Sequence, residues 1–300
     1  MGTDTVHLRL ATRASKQARL QSEHIAQRLQ MLGASVELVF IETIGDQVRD
    51  RPLWEIGGQG VFTKEVQNAV LDGRADVAVH SAKDLPSSWS APGLTLACVP
   101  ERADPRDALV GMSLDRLHHG ATVATGSVRR KAQLANLRPD LHFIGLRGNI
   151  PTRIERARDS DVDAIVVAVT GATWVGMADR IDEVFEPEVM LPQIGQGALA
   201  IECRSDDDAT REMLAALEHL DSRRAVDCER TYLSTLGGGC DLPVGGYALV
   251  DGHGQLQLTG LIAAPDGSEI HRDSIEGSDA SIGAVLGARL LERAGHLLDR

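Results

Sequence analysis

Three stretches of this 300-residue sequence place chemically useful side chains where a strand-like run ends, and a fourth does so in a glycine cluster after a helical run. Val77-Ala-Val-His-Ser-Ala-Lys-Asp-Leu-Pro86 runs from a buried-type strand into a loop carrying His80, Ser81, Lys83 and Asp84. There the Asp84 carboxylate suits stabilisation of a developing cation or transfer of a proton, and Lys83 suits an anion. The same residues also suit a solvated turn closed by Asp-Leu-Pro, and spacing alone leaves both readings open. Ala124-Thr-Gly-Ser-Val-Arg-Arg-Lys131 joins a strand end, a Gly-Ser turn and a helix start. Unpaired backbone amides there, with Ser127, Arg129 and Arg130 beside them, form an anion seat. Basic groups in a first helical turn oppose the helix dipole, a local cost that points to a use elsewhere. Leu146-Arg-Gly-Asn-Ile-Pro-Thr-Arg153 repeats the logic with Arg147 and Arg153. Gly237-Gly-Gly-Cys-Asp-Leu-Pro243 sets Cys240 in a glycine-rich turn, where the backbone can bring its sulfur close to another group. Cys240 is a candidate nucleophile or covalent attachment point. Cys98, Cys203 and Cys228 read as buried small hydrophobes.

The charge is uneven. The chain is at −12 overall, but residues 201–300 hold 18 acidic and 9 basic side chains, leaving only −3 on residues 1–200. Between Ser127 and Arg158 eight basic groups face only Asp140 and Glu155. Four arginines at one edge fit a ligand with several carboxylates or phosphates. The overall acidity and the 3% aromatic content argue against a nucleic-acid partner. The cysteines show no CxxC or finger spacing, and His118-His119 alone is too weak for a metal site, so no metal is expected. The start has no basic segment leading into an apolar one, and the longest apolar run, 164–169, is far short of a membrane span. A cytoplasmic protein with free thiols and no membrane partner is the expectation.

The elements that must position these residues alternate. Strands are expected at 6–11, 36–41, 77–80 and 94–99, with helices at 16–32 and 64–71. After a proline-containing polar break at 100–107 the alternation restarts, with strands at 121–125, 141–146 and 164–169 and helices at 128–137 and 151–158. The strand-like run 198–203 follows a second break and suits the first sheet. Helices at 210–220 and 223–236, strands at 246–250, 255–262 and 269–275, and a helix from 282 to 298 complete the chain. The pattern predicts an α/β fold: two α/β domains with parallel sheets, joined by two crossings, plus a small α+β C-terminal domain. A hinged cleft between the first two would receive ligands beyond the strand ends.

Taken together, ATRAS at 11–15, HSAKDLP at 80–86, ERADPRDALV at 101–110, SVRR at 127–130, LRGN at 146–149, LPQIGQGALAIECR at 191–204 and GGGCDLPVGGYA at 237–248 resemble the porphobilinogen deaminase, or hydroxymethylbilane synthase, family. The match runs essentially the whole length. It implies two periplasmic-binding-protein-like domains with a double crossover hinge, 1–99 with 198–217 and 104–191, and a third domain at 220–300. It implies a covalent dipyrromethane cofactor, one per chain, on a thioether at Cys240. It also implies head-to-tail condensation of four porphobilinogens, with release of ammonia and the linear tetrapyrrole. By the same resemblance Asp84 is catalytic, stabilising the azafulvene-type cation left by ammonia. Lys83, Ser127, Arg129 and Arg130 bind the cofactor, Arg13, Ser15, Arg147 and Arg153 bind substrate carboxylates, and the protein is a monomer. Gln59 and Trp174 stand where family members carry cations, Glu55 at a nearby site often basic, and Ala124 and Gly126 where Gly and Ser are usual. Lys16 replaces a common proline beside Ser15. A weakly active member, or a non-catalytic anion-binding module, is the alternative.

Overall fold

The computed structural model describes residues 6–43, 60, 62–87, 91–238 and 242–298. Strand β1 (His7–Arg13) buries Leu8, Leu10 and Ala11. Ser15 then turns the chain into helix α1 (Lys16–Met31), its hydroxyl accepting the Ala18 N–H as a cap. Ser22, Ile25, Ala26 and Leu29 recur at helical spacing and form the buried face of α1. Strand β2 (Ser35–Ile41), helix α2 (Lys64–Leu71), β3 (Val77–Ser81) and β4 (Leu94–Cys98) follow. The next run is β5 (Asp107–Val110), β6 (Thr122–Ala124), α3 (Val128–Leu137), β7 (His142–Ile144), α4 (Ile150–Arg156), β8 (Ala164–Ala168), α5 (Val169–Trp174) and β9 (Glu183–Val184). After β10 (Leu199–Arg204) come α6 (Asp208–Ala215), α7 (Leu220–Thr235), β11 (Val244–Val250), β12 (Leu256–Ala263), β13 (Ile270–Gly277) and α8 (Ile282–Ala294).

The chain forms two compact units, Met1–Arg102 with Ala198–Arg223, and Ala103–Gly197 with Arg224–Arg300. The first holds a five-stranded sheet in the order β2-β1-β3-β10-β4. The second holds the sheet β7-β6-β8-β5-β9 and the antiparallel sheet β11-β12-β13. The fold is α/β, but neither larger sheet is purely parallel. Strand β10 runs antiparallel to β3 and β4, and β5 antiparallel to β8 and β9. Each is the first strand formed after the chain passes from one unit to the other. A helical crossover keeps successive strands parallel, and a strand reached without one is free of that constraint. Strand β10 does enter the first sheet, as its composition suggested.

Packing follows the layers. Leu8, Leu10, Ile25, Leu29, Val77, Val79 and Ile201 share one cluster between the first sheet and α1. Leu109, Val123, Leu134, Val166 and Phe185 form the corresponding cluster in the second unit. Tyr232 of α7 is fully buried against the C-terminal sheet, and its hydroxyl donates to the Leu261 carbonyl at 3.2 Å. Among the described residues no helix is long and apolar enough to cross a membrane.

Candidate active site

Strands β1 and β3 are parallel neighbours, with Leu10 beside Val77 and Ala11 beside Ala78, so their carboxyl ends open at one edge. Arg13 is the last residue of β1, and Asp84 closes the 3-10 turn Ala82–Asp84 that follows β3. The two meet: Arg13 Nη1 lies 3.7 Å from Asp84 Oδ2. The Arg13 guanidinium also stacks on the Phe62 ring, its Cζ 4.1 Å from the centroid. Both side chains keep part of their surface open, 21% for Arg13 and 26% for Asp84, so a ligand can reach them. Lys83 is half-buried in the same turn. Ser15, two residues past Arg13, spends its hydroxyl on the α1 cap.

The turn is anchored from below. Ala82 donates its N–H to the Ala198 carbonyl at 2.9 Å, tying the turn to the start of β10. One strand residue earlier, His80 Nε2 lies 3.2 Å from Glu202 Oε2, and Gln67 of α2 donates to that oxygen at 2.8 Å. His80 pairs in register with Ala200, and Glu202 with Ala78. The two alanines leave room for the long side chains to meet diagonally on one face of the sheet. A buried carboxylate inside an otherwise apolar strand is a signal the sequence carries, although its partner is 122 positions away.

In the second unit, the turns after β6 and β7 abut. Thr125 donates its N–H to Ile144 O at 3.0 Å. A Cβ at Gly126 would stand 2.6 Å from the Leu146 carbonyl oxygen, so glycine is what permits the approach. Ser127 and Asn149 cap α3 and α4, accepting from Arg130 N–H and Thr152 N–H. Arg147 is exposed beside Asn149, while Arg153 is half-buried and donates through Nε to Gly148 O at 2.7 Å.

Arg129 and Arg130 differ from the solvent-facing seat that spacing predicts. They are only 3% and 7% exposed and converge on Asp107, which is fully buried. Arg130 donates through Nε and Nη2 to Asp107 Oδ1, at 3.0 and 2.7 Å. Arg129 Nη2 lies 2.8 Å from Oδ2 as an ion pair, off the line of a hydrogen bond, while its Nη1 donates to Leu191 O at 2.6 Å. Burial works against the Asp107 charge, yet Arg129, Arg130 and the Gln196 amide outweigh it and hold the carboxyl at about 2. The dipole cost of two arginines in the first turn of α3 is thus met by a carboxylate twenty-odd residues upstream. More of the basic segment is internally matched: Arg138 pairs with Asp140, Arg156 with Asp159 and Asp161, and Arg158 with Glu155.

Cys98, Cys203 and Cys228 are free and buried. Burial raises their thiols to about 12, 11 and 12, so none offers a thiolate near neutral pH. Cys240 lies outside the described residues, as do Gln59 and Glu55. Trp174 ends α5, half-buried, where the chain leaves β8. Phe62 joins these constellations from outside any motif, while Asp107, Gln196 and Glu202 lie within the runs 101–110 and 191–204 but the sequence assigns them no role.

At the edge of an α/β sheet Arg13 stands beside a partly open carboxylate, Asp84, an arrangement suited to a small anionic ligand. Comparison with known proteins narrows the class. Residues 8–212 match the family described as "Porphobilinogen deaminase, dipyromethane cofactor binding domain", and 224–293 match its C-terminal domain. A porphobilinogen deaminase of Roseiflexus castenholzii is 45% identical, covering 97% of this chain and 98% of that one. One of Nitratidesulfovibrio vulgaris is 44% identical, covering 98% and 96%. Among solved structures, the methionine binding protein MetQ is similar at 16% identity, covering 70% of this chain and 89% of that one, with a TM-score of 0.43. The chain belongs to the porphobilinogen deaminase family. It is an enzyme of tetrapyrrole biosynthesis and works with a dipyrromethane cofactor. The donors present fit such a group: Arg129 Nε is buried with no hydrogen-bond partner, and pyrrole carboxylates are natural acceptors for it.

Proposed function

We propose that Asp84 is the catalytic carboxylate of a porphobilinogen deaminase whose cofactor is joined by a thioether to Cys240. The enzyme condenses four porphobilinogens head to tail. At each step the aminomethyl C–N bond breaks, ammonia leaves with the bonding electrons, and a cation spreads over the incoming pyrrole. The Asp84 carboxylate stabilises that cation and bonds the pyrrole N–H groups. When bound, dipyrromethane supplies the nucleophilic pyrrole carbon from which the chain grows. Arg13, held on Phe62 at 4.1 Å and 3.7 Å from Asp84, grips a substrate carboxylate and so fixes the reacting carbon beside Asp84. That pairing of Arg13 with Asp84 is the observation that carries the reading. Ser15, Arg147 and Arg153 serve substrate side chains, and Lys83, Ser127, Arg129 and Arg130 those of the cofactor. The protein acts as a cytoplasmic monomer, with no nucleic-acid or membrane partner.

Intact-mass measurement tests the attachment. The wild-type protein is expected to exceed its sequence mass by one dipyrromethane, with the excess absent from Cys240→Ser. Asp84→Asn should keep the fold and lose about 10²-fold or more in kcat. Unmodified wild-type protein that gains no mass on incubation with porphobilinogen would refute the enzyme reading. A nearly normal rate in Asp84→Asn would refute the role given to that residue.

A further inference from the structure

The chain passes between its two units after residue 102 and returns after residue 197. At these points it is tied to itself, since Ala103 donates its N–H to the Gly197 carbonyl at 3.1 Å. A Cβ at 197 would stand 2.5 Å from the Ala103 carbonyl oxygen, and Gly197 has φ +87°, so the approach requires glycine. The adjacent side chain, Gln196, is fully buried and donates through Nε2 to Pro105 O at 2.7 Å and to Asp107 Oδ1 at 2.8 Å. That is the oxygen to which Arg130 donates through Nε and Nη2. Gly195 is pinned too: its N–H donates to Glu229 Oε2 at 2.6 Å, while Glu229 Oε1 accepts from Ala248 N–H at 2.8 Å. Two buried carboxylates, Asp107 and Glu229, therefore clamp the segment 195–197.

Asp107 Oδ1 thus takes three donors from two side chains, which fully occupies its two lone-pair sites. In a buried, closely packed site the aim of Arg130 and the placement of Gln196 cannot change independently. An arginine serves carboxylate ligands through a rigid planar fork, so its aim decides how well they are met.

We propose that Gln196 is a positioning residue. Through Asp107 it fixes the direction in which Arg129 and Arg130 present their remaining donors to cofactor carboxylates, and it ties that direction to the paired segments 103–105 and 195–197. The inference rests on the reading that this arginine pair serves the cofactor.

A double-mutant cycle on the cofactor-bearing enzyme tests it. Gln196→Leu removes both donors and keeps an apolar side chain of similar size. Arg130→Lys keeps the charge and removes the fork. Each single variant is expected to lose about tenfold in kcat/KM for porphobilinogen, the worth of one hydrogen bond to a charged group. Gln196→Leu should retain its cofactor mass and melt within a few degrees of wild type. The double variant should be no worse than Arg130→Lys alone, because the two act through one contact. Losses that multiply to about a hundredfold would mean that Gln196 contributes only to general stability, and would overturn the proposal. Full activity in Gln196→Leu alongside a defective Arg130→Lys overturns the coupling alone. Full activity in Arg130→Lys overturns the underlying reading of the arginine pair and the coupling with it. Should Gln196→Leu be insoluble, Gln196→Asn withdraws the amide by one methylene and is read in the same way.

Discussion

Asp107→Asn is the perturbation that most directly probes the buried charge cluster. The substitution keeps the shape of the side chain and removes the only carboxylate that Arg129 and Arg130 share at hydrogen-bonding or ion-pair distance among the described residues. Leaving buried charges unpaired in this way costs about 3–5 kcal/mol. The pKa gives a second, smaller figure for the carboxylate itself. Held at about 2 against an ordinary 3.8, its ionised form gains about 2 kcal/mol from folding. For a unit of this size each kcal/mol moves the melting midpoint by about 2–4 °C, so a fall of about 10 °C at pH 7 is expected. The pH dependence has a definite sign. Because folding depresses this pKa, the stabilisation is complete above the unfolded value near 3.8 and is lost as pH falls toward 2. The gap between wild type and Asp107→Asn should therefore stay flat from pH 8 to about pH 5 and narrow only below about pH 4. Melting curves across that range, followed by tryptophan fluorescence and calorimetry, provide the assay. A gap under about 2 °C at pH 7, or one that already narrows between pH 7 and pH 5, would refute the account of Asp107 as an ionised, arginine-held carboxylate.

Two further outcomes follow from the geometry. With thiols at about 12, 11 and 12, no more than about one in a thousand of Cys98, Cys203 and Cys228 is ionised at pH 8, and each is also buried. Native protein should leave all three unalkylated over a period in which urea-unfolded protein labels them fully; peptide mapping that finds any of them modified in the folded state contradicts the burial described. Phe62→Leu removes the ring under Arg13 while preserving an apolar side chain, and a cation–π contact of about 0.5–2 kcal/mol predicts a roughly 2- to 30-fold drop in kcat/KM. Unaltered steady-state kinetics in that variant would mean that Arg13 is oriented without the stack.

Much of the scaffold was legible because it depends on local pattern. Helices α2 and α3 occupy the residues that periodicity marks, Lys64–Leu71 and Val128–Leu137; α2 buries Val66, Ala69 and Val70 beside Gln67, whereas α3 buries Ala132 and Leu134 beside Arg129, Arg130 and Gln133. Strand β5 escaped notice because its four residues follow directly on Pro105 and Arg106, and a short apolar run after a proline reads as the end of a loop. The sense of β5 and β10 was equally out of reach, since strand direction depends on which sheet a returning chain joins. For the site, a strand-end loop drew attention to Lys83 and Asp84, the family resemblance added Arg13, and the fold places Arg13 and Asp84 together. The destination of Arg129 and Arg130 was not legible. Their counter-ion lies across the unit at the start of another strand, and a run of arginines looks the same whether it faces solvent or a buried aspartate. The partners of Gln196 and Glu202 were hidden for the same reason: each is visible as a polar residue in an apolar stretch, but what it meets is set by tertiary structure.

The placement of β10 bears on how the protein is made. The strand lies between β3 and β4, yet about a hundred residues separate it from either in the chain. During synthesis, β3 and β4 leave the ribosome with no strand between them, and each presents an unpaired edge until residues 199–204 arrive. Closing so long a loop makes this a late, slow event in folding. The turn bearing Asp84 is bonded to Ala198, so the carboxylate acquires its final setting only then. A nascent chain lacking β10 can complete α3 and its arginine cluster's helix, but not the turn that holds Asp84. The setting of Asp84 is therefore completed only when β10 closes the first sheet, and the growing polypeptide carries a sticky, half-built sheet while the hundred or so residues between β4 and β10 are made.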